Sequence, residues 1–127
     1  MSEKTLETSE TLLDIEPVLN ELVTRLCSSE LPLAKIVLFG SYAAGIANKD
    51  SDIDLMIIVD NDDEMKSHAE DMQRYLSLWR LIRSINYEYA IDMKVYSHKE
   101  FERAKKFNRF FIKEIERTGR ILYERVS

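Results

Sequence analysis

The sequence predicts an α+β fold in which a small mixed β-sheet is flanked by helices. Short β-branched apolar runs alternate with longer segments in which apolar residues recur every three or four positions. Apolar residues make up 45% of the chain and charged residues 32%, which is ordinary for a chain that buries one core. We therefore expect a single domain over residues 1–127, with residues 1–10 forming a flexible polar tail.

Helix and strand alternate through the first half of the chain. The regular N-terminal helix is expected to begin just before Pro17, and its apolar positions are Leu12, Ile15, Leu19, Leu22 and Leu26. A β-branched run over residues 34–39 predicts a strand that ends at Gly40. After a turn and a very short helix, residues 52–60 predict a second strand.

A long helix follows the second strand and carries two apolar rows. The row expected to face the core consists of Met65, Ala69, Met72, Leu76, Trp79 and Ile82. The second row consists of Tyr75, Leu78, Leu81 and Ile85. This second row is either covered within the monomer or exposed as a surface for a partner.

The remainder of the chain adds one strand, more helix and a last short strand. Residues 87–96 predict the third strand, and helical spacing resumes over residues 101–115. Gly119 is expected to end that helix before a strand-like segment at residues 121–123. The predicted order is therefore α-β-α-β-α-β-α-α-β, with helices packed against a sheet.

Composition argues against several functional classes. A net charge of -5 disfavours charge-driven binding to long nucleic acid. No apolar run approaches the ~20 residues of a membrane span, and the acidic N-terminus lacks the features of a signal peptide, so we expect a cytoplasmic protein without a membrane partner. Cys27 is expected to be a buried thiol, and His68 and His98 are expected to be surface residues rather than metal ligands.

Acidic residues lie at the start of the second predicted strand and in the middle of the third. Because alternate strand residues face the same side, Asp52 and Asp54 should project together, and Asp92 lies inside the apolar third strand. Three such carboxylates repel one another, and Mg²⁺ prefers all-oxygen ligands shared with substrate phosphates. Gly40 and Ser41, between a strand and a helix start, could offer backbone N–H groups and a hydroxyl to a phosphate. The alternative is a set of solvated acids at a strand end.

This region also resembles two other motifs, but specific residues exclude both of them. Gly40 and Gly45 have the spacing of P-loop glycines. Ile46 and Ala47, however, occupy the positions of the required lysine and hydroxyl residue. A calcium-binding EF-hand loop is excluded because Leu55 replaces its glycine. Gly45 can then either let a phosphate approach the backbone or cap the short helix.

Gly40-Ser41, ten further residues and then Asp52-Ile53-Asp54 resemble the GS-x10-DxD motif of the DNA polymerase β-like nucleotidyltransferase superfamily. The chain is most similar to the stand-alone minimal nucleotidyltransferases, and the leading helix, AIDMKVY and IKEIERTGRILYE extend the likeness. The resemblance implies a mixed sheet on which Asp52, Asp54 and Asp92 bind magnesium, two ions being expected with nucleotide. It also implies that Gly40 and Ser41 hold a nucleoside triphosphate, and that Asp92 helps to deprotonate an acceptor hydroxyl.

One position departs from that family pattern. Ala44 stands where a basic residue is common, as in GSxxRG, and this predicts weaker phosphate binding or slower turnover. Lys94 shares a strand face with Asp92 and could supply the missing charge to the nucleotide. The alternative is that Lys94 forms a plain structural ion pair. Lys49 has a weaker claim to the same role.

The resemblance also implies a partner. Minimal nucleotidyltransferases of this kind commonly pair with HEPN-domain proteins in toxin–antitoxin systems, in which the enzyme adds AMP from ATP to a tyrosine (AMPylation). The leading expectation is therefore an antitoxin-like protein adenylyltransferase, working within a homo-oligomer or hetero-oligomer. One alternative is a catalytically idle module that neutralises its partner by contact, and another is transfer to a small molecule such as an aminoglycoside. The sequence does not indicate base preference.

Overall fold

Five helices and four strands follow one another in the predicted order within the part of the chain that the computed structural model describes. That part is the backbone of residues 3–126 and the side chains of residues 15–126. The helices are α1 (Glu3–Cys27), α2 (Gly40–Ala44), α3 (His68–Ile82), α4 (His98–Phe107) and α5 (Arg109–Thr118). The strands are β1 (Leu33–Phe39), β2 (Ile53–Val59), β3 (Ile91–Ser97) and β4 (Arg120–Glu124).

The four strands form one mixed sheet in the order β3-β2-β1-β4. Strand β1 is antiparallel to both β2 and β4, whereas β2 and β3 are parallel. A parallel pair needs a crossover connection, and α3 lies between these two strands in the sequence. The expected α+β fold with a mixed sheet and flanking helices is confirmed.

Each face of the sheet packs against different helices. Ile53 and Leu55 of β2 join the core formed with α1 and α3, whereas Met56 joins a smaller core with Ile112 and Ile115 of α5. Because side chains alternate along a strand, Asp54 lies on the same face as Met56. The α5 side of the sheet is therefore the side that carries the candidate carboxylates.

Helix α1 is longer than the sequence predicts. It begins at Glu3, so Pro17 lies inside it and the expected start near Pro17 is wrong. Of the segment expected as a flexible tail, the described residues 3–10 belong to this helix. Pro17 is exposed. A proline at this position removes a single intrahelical hydrogen bond, and packing of the helix on both sides of Pro17 compensates for that loss. The predicted core positions Ile15, Leu19, Leu22 and Leu26 are buried, and Leu12 falls among residues whose side chains are not described. Among the described helices, none has the length and apolar character required to cross a membrane.

Helix α3 presents its second apolar row to the core, which corrects the expected assignment. Leu78 and Ile82 are fully buried, and three members of the second row pack against them: Tyr75, Leu81 and Ile85. Met72 is 42% exposed and Ala69 is also exposed, although both were expected to face the core. The second row is therefore covered within the monomer and is not a free surface for a partner. Trp79 packs against the core as expected.

The cysteine and histidine predictions had different outcomes. Cys27 is exposed at the end of α1, so the prediction of a buried thiol is wrong. Partial desolvation of its sulfur nevertheless raises the pKa of the Cys27 thiol, which disfavours the nucleophilic thiolate. His68 and His98 are exposed at the first positions of α3 and α4, as predicted, and the His98 ring lies 2.8 Å from a carboxylate oxygen of Asp60.

Glu100 joins α3, α4 and the loop after β2, and it should make the fold sensitive to acid. Burial raises the pKa of Glu100, but backbone N–H groups of Ser97 and Met65 and the buried Arg74 guanidinium, 2.6 Å away, lower it by more. A lowered pKa means that this stabilisation is present above the ordinary glutamate pKa of about 4.3 and is lost as the pH falls through the folded-state pKa.

We therefore expect Glu100→Gln to lower the free energy of unfolding by about 2–4 kcal/mol at pH 7, because Arg74 keeps a buried charge with one partner fewer. Urea unfolding between pH 3 and pH 7 measures this, and the loss should shrink in acid. The matched control is Glu102→Gln on the exposed side of the same helix. An equal loss of unfolding free energy at every pH would contradict the explanation that the ionised Glu100 carboxylate stabilises the fold.

Candidate functional site

Two of the predicted carboxylates lie side by side on adjacent parallel strands. Asp54 of β2 and Asp92 of β3 are register partners, so their side chains leave the same face of the sheet at the same height. Asp52 immediately precedes β2, two positions before Asp54. The sheet register therefore brings together Asp54 and Asp92, which are far apart in the sequence, with Asp52 beside them.

The glycine turn touches this carboxylate group directly. Phe39, the last residue of β1, is paired with Asp54 across the strands, and Gly40 follows it at φ +74°. A Cβ atom on Gly40 would lie 2.1 Å from a carboxylate oxygen of Asp54, far inside contact distance. Only glycine combines this backbone conformation with this close approach.

The electrostatics of Asp54 reflect its crowded position. Burial raises the pKa of the Asp54 carboxyl, and the charges of Asp92 and then Asp52 raise it further, whereas Lys94 lowers it. The charges of both other acids therefore act on the Asp54 carboxyl. As the side chains stand, however, the described residues contain no set of three acid, histidine or cysteine groups close enough together to hold a metal ion.

Asp92 is more exposed than its apolar neighbours predict. It is the second residue of β3, and its side chain is 52% exposed, so the expectation of a carboxylate buried in mid-strand is wrong. The sheet ends next to this position, which leaves the side chain open to solvent. The Lys94 ammonium lies 3.8 Å from an Asp92 oxygen, and such a half-exposed pair contributes little to stability.

Helix α2 places Ser41 and Gly45 at opposite ends of a single turn. No side chain caps its N-terminus, where Ser41 follows the glycine turn. Gly45 is the C-cap at φ +74°, and a methyl group added there would have no other atom within 4 Å, so Gly45 performs the capping role that was one of its two predicted alternatives. Contact of Ser41 and Gly45 with a phosphate stays a prediction. Ala44 and Ile46 are both exposed.

Sequence reasoning missed an aromatic residue at the edge of the site. Phe111 of α5 packs edge-on against Phe39, with ring centroids 5.8 Å apart. The Lys94 ammonium lies 5.9 Å from the centroid of the same Phe111 ring, a distance at which a cation is attracted to an aromatic face. One ring therefore contacts both the residue before Gly40 and the lysine that pairs with Asp92. The helical spacing of α5 identified Phe111 as apolar but gave no sign of this contact.

Comparison with known proteins gives a consistent result. A family model described as a nucleotidyltransferase domain matches residues 19–125. A candidate nucleotidyltransferase of Sulfolobus solfataricus has a similar fold, with a TM-score of 0.60 and 22% identity over 98% of this chain and 91% of that one. The crystal structure of a toxin–antitoxin with AMP-PNP is also similar, with a TM-score of 0.59 and 18% identity over 84% of this chain and 73% of that one. No curated protein sequence matches the chain.

Proposed function

Because the chain belongs to the nucleotidyltransferase domain family, we propose that it transfers AMP from ATP to a tyrosine hydroxyl of a HEPN-type toxin partner. The family establishes nucleotidyl transfer as the class of reaction. The nucleotide, the metal and the acceptor are the finer parts of the proposal.

The pairing of Asp54 with Asp92, next to Gly40, is the observation that carries the proposal. The donor set consists of carboxylate oxygens only, which suits Mg²⁺. Burial first, and then the charges of Asp92 and Asp52, raise the pKa of the Asp54 carboxyl. Asp52 and Asp92 are exposed, so side-chain rotation alone could bring them towards a shared ion. The residues therefore fit magnesium, with Asp52, Asp54 and Asp92 as its ligands.

Different residues of the chain would bind the nucleotide and activate the acceptor. Gly40 allows a phosphate to approach the backbone, and the uncapped N–H groups at the start of α2 and the Ser41 hydroxyl would hold it. Asp92 would accept the proton of the acceptor hydroxyl as the oxygen attacks the α-phosphate and pyrophosphate leaves. Lys94 would turn from Asp92 towards the nucleotide. When bound, magnesium would neutralise phosphate charge and polarise the phosphoryl group.

A protein of similar fold supports ATP as the nucleotide and a protein as the acceptor. The toxin–antitoxin neighbour was solved with AMP-PNP, an analogue of ATP, which supports an adenine nucleotide and a protein partner for this chain as well. The described sheet and helices leave little chain to recognise a large acceptor, so a second protein would have to supply part of the site.

A second candidate function is favoured by two observations. The described acids are not gathered closely enough to hold an ion as they stand, and Ala44 replaces the basic residue common in related proteins. A chain with weak or no catalysis could still neutralise a partner by contact. In that case the acids would be dispensable for neutralisation.

The test is to incubate the chain with α-labelled ATP, Mg²⁺ and the product of the neighbouring reading frame. We expect the partner to become labelled. The label should be absent when Mg²⁺ is chelated, when the chain carries Asp52→Asn, and when the acceptor tyrosine of the partner is changed to phenylalanine. The matched control is Asp62→Asn, an exposed acid in the loop after β2. Neutralisation without label by Asp52→Asn would support the contact function instead, and label on an added aminoglycoside would indicate a small-molecule acceptor.

A further inference from the structure

The junction of α4 and α5 exposes three phenylalanines beside three basic residues. We name this surface the aromatic–basic corner, and it consists of Phe107, Phe110, Phe111, Lys106, Arg109 and Lys113. Phe110 is 89% exposed and Phe107 is 79% exposed, which is unusual for side chains of this size. Helix α4 ends at Phe107 and α5 begins at Arg109, so these residues cluster around one break in the helix.

The cations of the corner are available for a partner. Within the described part of the chain, Lys106, Arg109 and Lys113 form no ion pair, whereas Lys105 pairs with Glu102 and Arg103 with Glu64. Residues 103–113 hold five of the chain's 18 basic residues and none of its 23 acidic residues. The corner is therefore positively charged, although the chain as a whole has a net charge of -5.

The corner is continuous with the carboxylate site. Phe111 contacts Phe39 next to Gly40, and it lies under Lys94, the partner of Asp92. On the other side, Phe107 borders a hollow of about 470 Å³ that Tyr96 and Ala104 also line. The lining of this hollow also includes the charged side chains of Arg74 and Glu100. A segment that crossed the corner from this hollow would end beside Asp92.

From these observations we propose that the corner is the docking surface for an acidic segment of the acceptor protein, which brings its hydroxyl to Asp92. This inference rests on the proposed transfer and adds the chemistry of the acceptor. Exposed aromatic side chains and arginine are enriched at protein–protein interfaces, and the unpaired cations around them favour an acidic partner. A long nucleic acid fits less well, because the chain has a net charge of -5 and phosphates require an extended basic surface.

The test measures binding of a fluorescein-labelled glutamate–tyrosine copolymer by anisotropy, with chelator present and ATP absent so that no transfer occurs. We expect this copolymer to bind about 10-fold or more tightly than a lysine–tyrosine copolymer, and added salt to weaken it. Phe110→Ala and Arg109→Glu should each weaken binding about 10-fold. Tyr87→Ala is the matched control, because Tyr87 is 86% exposed and lies in the turn before β3.

Several outcomes would overturn the proposal. The proposal fails if the chain does not bind the glutamate–tyrosine copolymer, or if it binds both copolymers equally. It also fails if Phe110→Ala and Arg109→Glu both leave the affinity for the glutamate–tyrosine copolymer unchanged. Tighter binding of an oligouridylate through Phe110 would assign the corner to nucleic acid, and a dimer of the chain lost in Phe110→Ala would assign it to self-association. Binding that behaves as expected, without transfer when Mg²⁺ and ATP are added, would support the docking surface and count against the transfer reaction.

Discussion

Asp54→Asn will abolish nucleotidyl transfer, lowering its rate by about 10³-fold or more, and will not destabilise the fold. The expected loss corresponds to about 4 kcal/mol of transition-state stabilisation, the scale of a lost metal-binding carboxylate. The fold should become more stable at pH 7, because burial and repulsion by Asp92 and Asp52 raise the pKa of Asp54 and make its charge unfavourable.

Transfer of labelled AMP and urea unfolding of the same preparations check both halves of this prediction. A raised folded-state pKa destabilises the chain only where the carboxyl is ionised in the unfolded state, so the gain should vanish below about pH 3.9. Asp62→Asn, which removes an exposed acid near the end of β2, is the control for a general change in charge. Retained transfer, or a stability lower than wild type at pH 7, would show that Asp54 does not play this part.

Gly40→Ala should damage both the fold and the site, and Gly45→Ala allows the two effects to be separated. Both glycines have φ +74°, so an alanine at either position carries the same backbone cost of about 1–2 kcal/mol. Only at Gly40 would the new methyl group meet another atom, the Asp54 oxygen at 2.1 Å, whereas the space beside Gly45 is open.

The difference in unfolding free energy between the two variants therefore reports the contact with Asp54. We expect Gly40→Ala to be the less stable of the two, and to lower transfer about 100-fold because Asp54 is displaced from its working position. Equal stabilities of the two variants in urea would mean that Asp54 moves aside at no cost. The close approach of Gly40 would then have no structural importance.

The sequence predicted the shared position of Asp54 and Asp92 better than the helices around them, and their binding of metal stays a prediction. The spacing from Gly40 to Asp52 and Asp54 lies within one local segment, and the period of two along a strand sets which side chains share a face. The pairing of Asp54 with Asp92 depends on how β2 and β3 align, and the apolar pattern of both strands sets that register.

The errors came from features that tertiary packing decides. Helix α3 is apolar on two sides, so spacing alone could not determine that Leu78 rather than Met72 faces the sheet. Pro17 suggested a helix start, yet α1 continues through it. The contact of Phe111 with Phe39 and Lys94 joins residues from α5, β1 and β3, and no local pattern encodes it.

The central claim is that Asp52, Asp54 and Asp92 close around magnesium beside Gly40. A crystal structure of the chain with Mg²⁺ and a non-hydrolysable ATP analogue tests it most directly. The account predicts an ion bound by oxygens of all three carboxylates at about 2.1 Å, with the triphosphate against the start of α2. Nucleotide bound with Asp92 still paired to Lys94 and away from any ion would contradict it.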